Sequence, residues 1–126
     1  MVSFTGFEAE DGSPLYLQII LYVKRGLVAG TISDQEEMPS RRVLSALLGV
    51  NPNTVQKAYR TLEDEGLIES RTGAASYITA DEAQKQDIKA QLLEADLQTL
   101  VTAMRRMGVS KNEAVQLIEK AWGDPK

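Results

Sequence analysis

The sequence predicts a mainly α fold with one small β-hairpin: a three-helix head closed by the hairpin, then a C-terminal pair of helices. Three observations carry that expectation. Apolar residues recur at spacings of three and four along most of the chain, the period of a helix with one buried face. Capping residues and glycines cut this pattern into separate helices. Only residues 67–79 change character, to short β-type runs on either side of Thr72 and Gly73.

The first helix is signalled by Ser13 as N-cap and Pro14 at the first helical position, with Leu15, Ile19, Tyr22, Val23 and Leu27 on one face and Gly30 as the stop. After a polar loop, Met38-Pro39 lead to Ser40, a second N-cap. Val43, Leu44, Leu47 and Leu48 are then expected to pack one side of a short helix that Gly49 closes. A third helix opens almost at once, with Asn51 as N-cap and Pro52 fixing φ at the first position, and runs through Val55, Ala58, Tyr59 and Leu62 toward Gly66. Leu67 to Arg71 and Ser76 to Thr79 read as two strands joined by a turn. From Asp81 to Met107 there is neither Gly nor Pro, and Leu93, Leu97, Leu100, Met104 and Met107 follow the rhythm of a heptad seam, widened by Ile88 and Leu92. Gly108 ends this helix. Ser110 with Glu113 forms a capping box, and Ala114, Val115, Ile118, Ala121 and Trp122 make the apolar face of a last short helix. The expected organisation is an N-terminal extension at 1–13, a head at 14–80 and a helical region at 81–126.

Composition narrows the chemistry. Among 126 residues, hydrophobic side chains make up 43% and charged ones 25%, so the chain can bury a core and is not disordered. There is no Cys and no His, which removes disulfides, thiolate and imidazole metal ligands, cysteine nucleophiles and the commonest acid-base group. The carboxylates fall in loops or on exposed helix positions, no Ser has a His partner, and no Gly-rich phosphate loop follows a strand. An enzyme is therefore not expected, and neither a metal nor another cofactor. The acidic N-terminus does not fit a secretory signal, and every apolar stretch is broken by charge well short of a membrane span. A cytoplasmic protein with no membrane partner is expected.

Three helices followed by a hairpin describe a winged helix-turn-helix, whose third helix enters the DNA major groove. With 14 basic and 18 acidic residues the net charge is −4, which argues mildly against a nucleic-acid partner, so the distribution of charge decides. On the third helix Val55, Ala58, Tyr59 and Leu62 point inward, while Asn53, Thr54, Gln56, Lys57 and Arg60 point outward with no acid before Glu63. Amides pair bidentately with adenine, cations with guanine or phosphate, and a helix N-terminus favours an anion. Arg41 and Arg42, beside the Ser40 hydroxyl, and Arg71, beside Thr72, add cations to the same surface. A cation at the start of a helix opposes the dipole, and an external anion would remove that conflict. Pairing of Arg41 or Arg42 with a nearby acid such as Glu37 is the structural alternative.

The runs Met38-Pro39-Ser40-Arg41-Arg42, Leu48-Gly49-Val50-Asn51-Pro52-Asn53-Thr54-Val55 and Tyr59-Arg60-Thr61-Leu62-Glu63-Asp64-Glu65-Gly66-Leu67-Ile68 resemble the N-terminal winged helix of GntR-family transcriptional regulators, over residues 14–79. The short helical remainder resembles the small YtrA-type subfamily in place of a large effector domain. The resemblance implies a dimeric bacterial repressor, often of transport or envelope-stress operons. Its DNA contacts would fall on Ser40, Arg42, Asn51, Asn53, Thr54, Gln56, Lys57, Thr72 and Gly73. Two positions depart from the family pattern. Arg41 stands where an acid is usual, and Ala75 stands where the wing customarily has a second glycine. Pro52 occupies a place where many relatives carry a polar or basic residue.

The expected partners are double-stranded DNA with a palindromic operator and a second copy of the chain. The seam Leu93, Leu97, Leu100, Met104, Met107, with Ile118 and Trp122, would form the dimer interface, since a helix from Asp81 to Met107 is ~40 Å long and exceeds what so small a head can cover. An effector ligand is left open, because a small hydrophobic pocket leaves no sequence signature. The competing reading is a winged helix used as a protein-interaction module. It gives no reason for the outward amides and cations of the third helix.

Overall fold

The computed structural model describes residues 1–71 and 75–123. Five helices and one two-stranded antiparallel sheet follow in the order α1 Leu15–Ala29, α2 Arg41–Leu48, α3 Pro52–Asp64, β1 Ile68–Ser70, β2 Ser76–Ile78, α4 Glu82–Arg106 and α5 Lys111–Trp122. The chain divides into two compact units inside α4, Met1–Lys89 and the residues from Ala90 onward.

In the first unit α3 is the central element, packed on α1, α2 and β1. Its inward row, Val55, Ala58, Tyr59 and Leu62, is fully buried, and Ile19, Val23 and Leu27 of α1 meet it from the other side of the core. The hairpin register pairs Ile68 with Ile78, Glu69 with Tyr77 and Ser70 with Ser76. Ile68 and Ile78 sit directly opposite each other and both face inward, which anchors the sheet on α3. Residues 35–38 run beside β2, with Met38 N–H donating to Ser76 O at 2.8 Å and Ile78 N–H to Glu36 O at 2.9 Å. The N-terminal residues also join this core. Val2 and Phe4 are buried, Phe4 stacks at 4.9 Å from Tyr22 of α1, and the Tyr22 hydroxyl donates to Ser3 O.

The caps explain where the helices begin. Ser40 Oγ accepts from Val43 N–H, Asn51 Oδ1 from Asn53 N–H and Ser110 Oγ from Glu113 N–H, as their spacing predicts. α4 starts with a reciprocal box in which Asp81 Oδ1 accepts from Gln84 N–H and Gln84 Oε1 from Asp81 N–H, both at 2.8 Å. Gly26, inside α1, lies so close to the buried Ile32 side chain that a Cβ there would force Ile32 to shift.

Two expectations are corrected. Pro14, not Ser13, is the N-cap of α1, and no side chain caps this end. Gln18 turns back instead, donating to the Glu10 and Ser13 carbonyls and accepting from Glu10 N–H, so the entering chain is fixed by an amide from the second turn. In α2 only Leu44 of the four apolar residues is fully buried; Leu48 is half-buried, and Val43 and Leu47 are exposed. An eight-residue helix lying across α3 offers a contact face too narrow for all four.

In the second unit the remainder of α4 and α5 form a helical hairpin around Gly108, whose φ of 75° lets the chain reverse at the end of α4. No residue of α5 is buried.

Candidate nucleic-acid interface

The start of α3 is set by Asn51 and Pro52. The Asn51 side chain takes up one of the free N–H groups of the first turn, and Pro52 has no N–H to satisfy. From there the buried row fixes the rotation of the helix, and the same rotation leaves Asn53, Lys57 and Arg60 exposed and Thr54 and Gln56 half-buried at the rim. The predicted outward residues are thus brought together on one face.

Their electrostatic states differ. Arg42 and Arg60 have no hydrogen-bond or ion-pair partner among the described residues, so both guanidinium groups are open to an anion. Lys57 Nζ lies 4.0 Å from the centre of the Tyr16 ring, a cation–π contact from α3 to the first turn of α1. Ser40 uses its oxygen as an acceptor for the α2 cap and keeps its O–H for donation.

Arg41 is held internally. Its Nη2 donates to Glu63 Oε1 at 2.6 Å, and its guanidinium lies 5.0 Å from the Tyr59 ring centre. Glu63, not the nearby Glu37, is its partner, because the end of α3 passes beside the start of α2. The carboxylate belongs to another helix, so it neutralises a cation that opposes the α2 dipole. Ser70 Oγ donates to the same Glu63 oxygen, linking the hairpin root to α2 through one carboxylate. Burial pushes the Tyr59 hydroxyl well above its usual range, with Arg41 opposing part of that effect, and the hydroxyl donates to Pro39 O at 2.6 Å. The Met38-Pro39-Ser40 entry to α2 is thereby tied to the middle of α3.

Arg71, at the hairpin root, is similarly occupied: Nε donates to Glu69, Nη2 to Gln35 Oε1, and the guanidinium lies over Tyr77 at 4.5 Å. Thr72 and Gly73, the expected wing contacts, lie outside the described residues. Two of the three acids at the end of α3 are engaged with cations, Glu63 with Arg41 and Glu65 with Lys24 at 2.8 Å, which lowers their repulsion of a polyanion. Sequence reasoning did not assign Tyr16 to this face. It continues the stripe of Ile20, Val23 and Leu27 at i, i+4, i+7 and i+11, so periodicity reads it as core, and only its place in the first turn leaves it half-buried beside α3.

The comparisons with known proteins agree with this geometry. Residues 15–78 match the family described as bacterial regulatory proteins, gntR family. The HTH-type transcriptional repressor YtrA of Bacillus subtilis (strain 168) is 30% identical over 113 residues, 90% of this chain and 82% of the relative. Among solved structures, a GntR family transcriptional regulator from Listeria monocytogenes superposes with a TM-score of 0.78 at 28% identity, over 89% of this chain and 98% of that one. The DNA-binding domain of AraR, solved in complex with operator ORX1, superposes with a TM-score of 0.50 at 26% identity, over 63% of this chain and 95% of that domain. No helix among the described residues is long and apolar enough to cross a membrane. With its capped α3, its buried inner row and its cationic outer row, the chain belongs to the GntR family and is a DNA-binding transcriptional regulator of that family.

Proposed function

We propose that the protein is a cytoplasmic homodimeric repressor that binds an inverted-repeat operator. In this reading Asn53, Thr54, Gln56 and Lys57 meet base edges in the major groove, and Arg42, Arg60 and the Ser40 hydroxyl meet phosphates on either side. Asn51 sets the first turn of α3 and contacts the backbone beside it. Arg41 and Arg71 stay with Glu63 and Glu69 and position α2 and the hairpin, while Thr72 and Gly73 supply the wing contact. The head spans residues 14–80, and residues 81–126 carry dimerisation through Leu93, Leu97, Leu100, Met104, Met107, Ile118 and Trp122. The protein acts by occupying DNA and not by catalysis.

One observation carries this reading. The outer row of α3 holds amides, a hydroxyl and cations without an acid, and the two guanidinium groups beside it, Arg42 and Arg60, lack partners among the described residues. An interior or protein-docking role gives no use for that set. The repressor assignment draws on the B. subtilis relative, whose name describes it as one. The test is binding to the promoter of the gene's own operon over a salt series, with transcription from that promoter measured in parallel. Affinity should fall steeply as salt rises, with a slope set by the phosphates neutralised. A flat response, or transcription that rises with bound protein, would refute the phosphate-contact or the repressor assignment respectively.

A further inference from the structure

The second unit has a hole and a knob on the same surface. The hole is a cavity of about 390 Å³ where α4 turns into α5, with Val101, Met104, Val109 and Ala114 as apolar wall and Arg105 and Lys111 at its rim. The knob is Trp122 at the end of α5, 84% exposed, with Ile118 and Glu119 beside it. An indole so exposed leaves a large apolar area in water, and the cavity has room for one. Ala114, Ile118 and Trp122 lie at i, i+4 and i+8, on one stripe of α5, so Ile118 is midway between hole and knob.

We propose that this unit pairs with a second copy of itself in an antiparallel, self-complementary register, with Ile118 on the two-fold axis and each Trp122 seated in the other chain's cavity between α4 and α5. The proposal rests on the homodimer reading and specifies its register. A two-fold axis makes each contact occur twice, so a surface with both parts at equal distances from a central residue is what isologous pairing needs. Charge selects the same register. Among the described residues, two cations and no acid line the hole, and Glu119 and no cation line the knob, so hole on knob attracts. Setting hole on hole would bring four cations together. In the favoured register the indole face also meets Arg105 and Lys111, a cation–π arrangement.

The sequence supplies its own probes, since it has one Trp and no Cys. The full chain is measured first by light scattering and tryptophan fluorescence. A dimer with blue-shifted emission that moves to the red on dilution is expected. A monomer at all concentrations overturns the homodimer reading and this register with it, whereas a dimer whose indole emits as if in water overturns the register alone and leaves the cavity for a small molecule. Second, Ile118→Cys and Ala114→Cys are oxidised mildly in separate preparations. Ile118→Cys should form a disulfide-linked dimer readily. Ala114→Cys should not, because two copies of that position would stand ~12 Å apart along the antiparallel helices, beyond the ~7 Å Cα separation a disulfide spans. The reverse pattern overturns the register. Trp122→Ala should raise the dimer dissociation constant about 100-fold or more, and an unchanged constant refutes the knob.

Discussion

The two compact units are built on opposite terms. Every buried hydrophobic side chain among the described residues belongs to the first unit, from Val2 to Ile88, while the second exposes Leu93, Leu97, Leu100, Val101, Met107 and Trp122. The first unit buries its core within a single chain. The second presents an apolar surface of a kind that monomeric proteins rarely leave in water. The difference teaches how a small regulator can divide its tasks: the head must be rigid by itself, because the base reading proposed above depends on the fixed rotation of α3. In the homodimer proposed above, the part that joins the two heads needs no core until its partner arrives.

The largest expected effect breaks the second unit alone. Leu100→Glu places a charge on the exposed seam. Light scattering should report a monomer, and operator affinity should fall by about 10²- to 10⁴-fold, the loss of linking two half-site contacts. The first unit should keep its thermal unfolding transition. A dimer of unchanged mass would mean that Leu100 is not at the interface. Breaking the first unit gives the reverse signature. Leu44, with no exposure, ties α2 to the core, and Leu44→Ala should cost ~2–5 kcal/mol in chemical denaturation while leaving self-association in native conditions intact. Equal loss of stability from Leu117→Ala, an exposed position of α5, would remove the contrast between the units.

Finer effects separate roles within the head. Asn53→Ala and Gln56→Ala should each reduce discrimination between operator and altered operator by ~1–3 kcal/mol. Arg42→Ala should weaken binding to all DNA alike and lower the salt slope by about one. If Asn53→Ala lowers affinity for random DNA as much as for operator, it is a backbone contact and not a base reader.

The sequence made some of this legible and hid the rest for physical reasons. The inner and outer rows of α3 were readable because both follow from a local period and from an Asn-Pro cap that fixes where the helix starts. Ser13 failed as a cap because α1 starts one residue later, where the Pro14 carbonyl accepts from the Leu17 and Gln18 N–H groups. Val43 and Leu47 looked like core because periodicity reports an apolar face without saying how wide its neighbour is. Arg41 found Glu63, 22 residues away, in place of a local acid, since that pairing exists only once α2 has crossed α3. The proposed phosphate ligand and the internal cation are the same residue type at adjacent positions, and only packing tells Arg42 from Arg41.

Tyr16 offers the smallest and most specific test. Its ring lies under the Lys57 ammonium at 4.0 Å, at an exposed site where such a contact is worth ~0.5–1 kcal/mol. The contact restrains a flexible side chain, and if Lys57 meets DNA as proposed above, less rotamer freedom is lost on binding. Tyr16→Phe keeps the ring face and should bind operator nearly as well as the parent. Tyr16→Leu should lose a few-fold in affinity, and that loss should vanish when Lys57→Ala is already present, since the ring would then have no cation to hold. A double-mutant cycle measures the coupling directly. If the Tyr16→Leu effect is the same with and without Lys57, the tyrosine acts on its own, and the first turn of α1 becomes a separate part of the DNA surface.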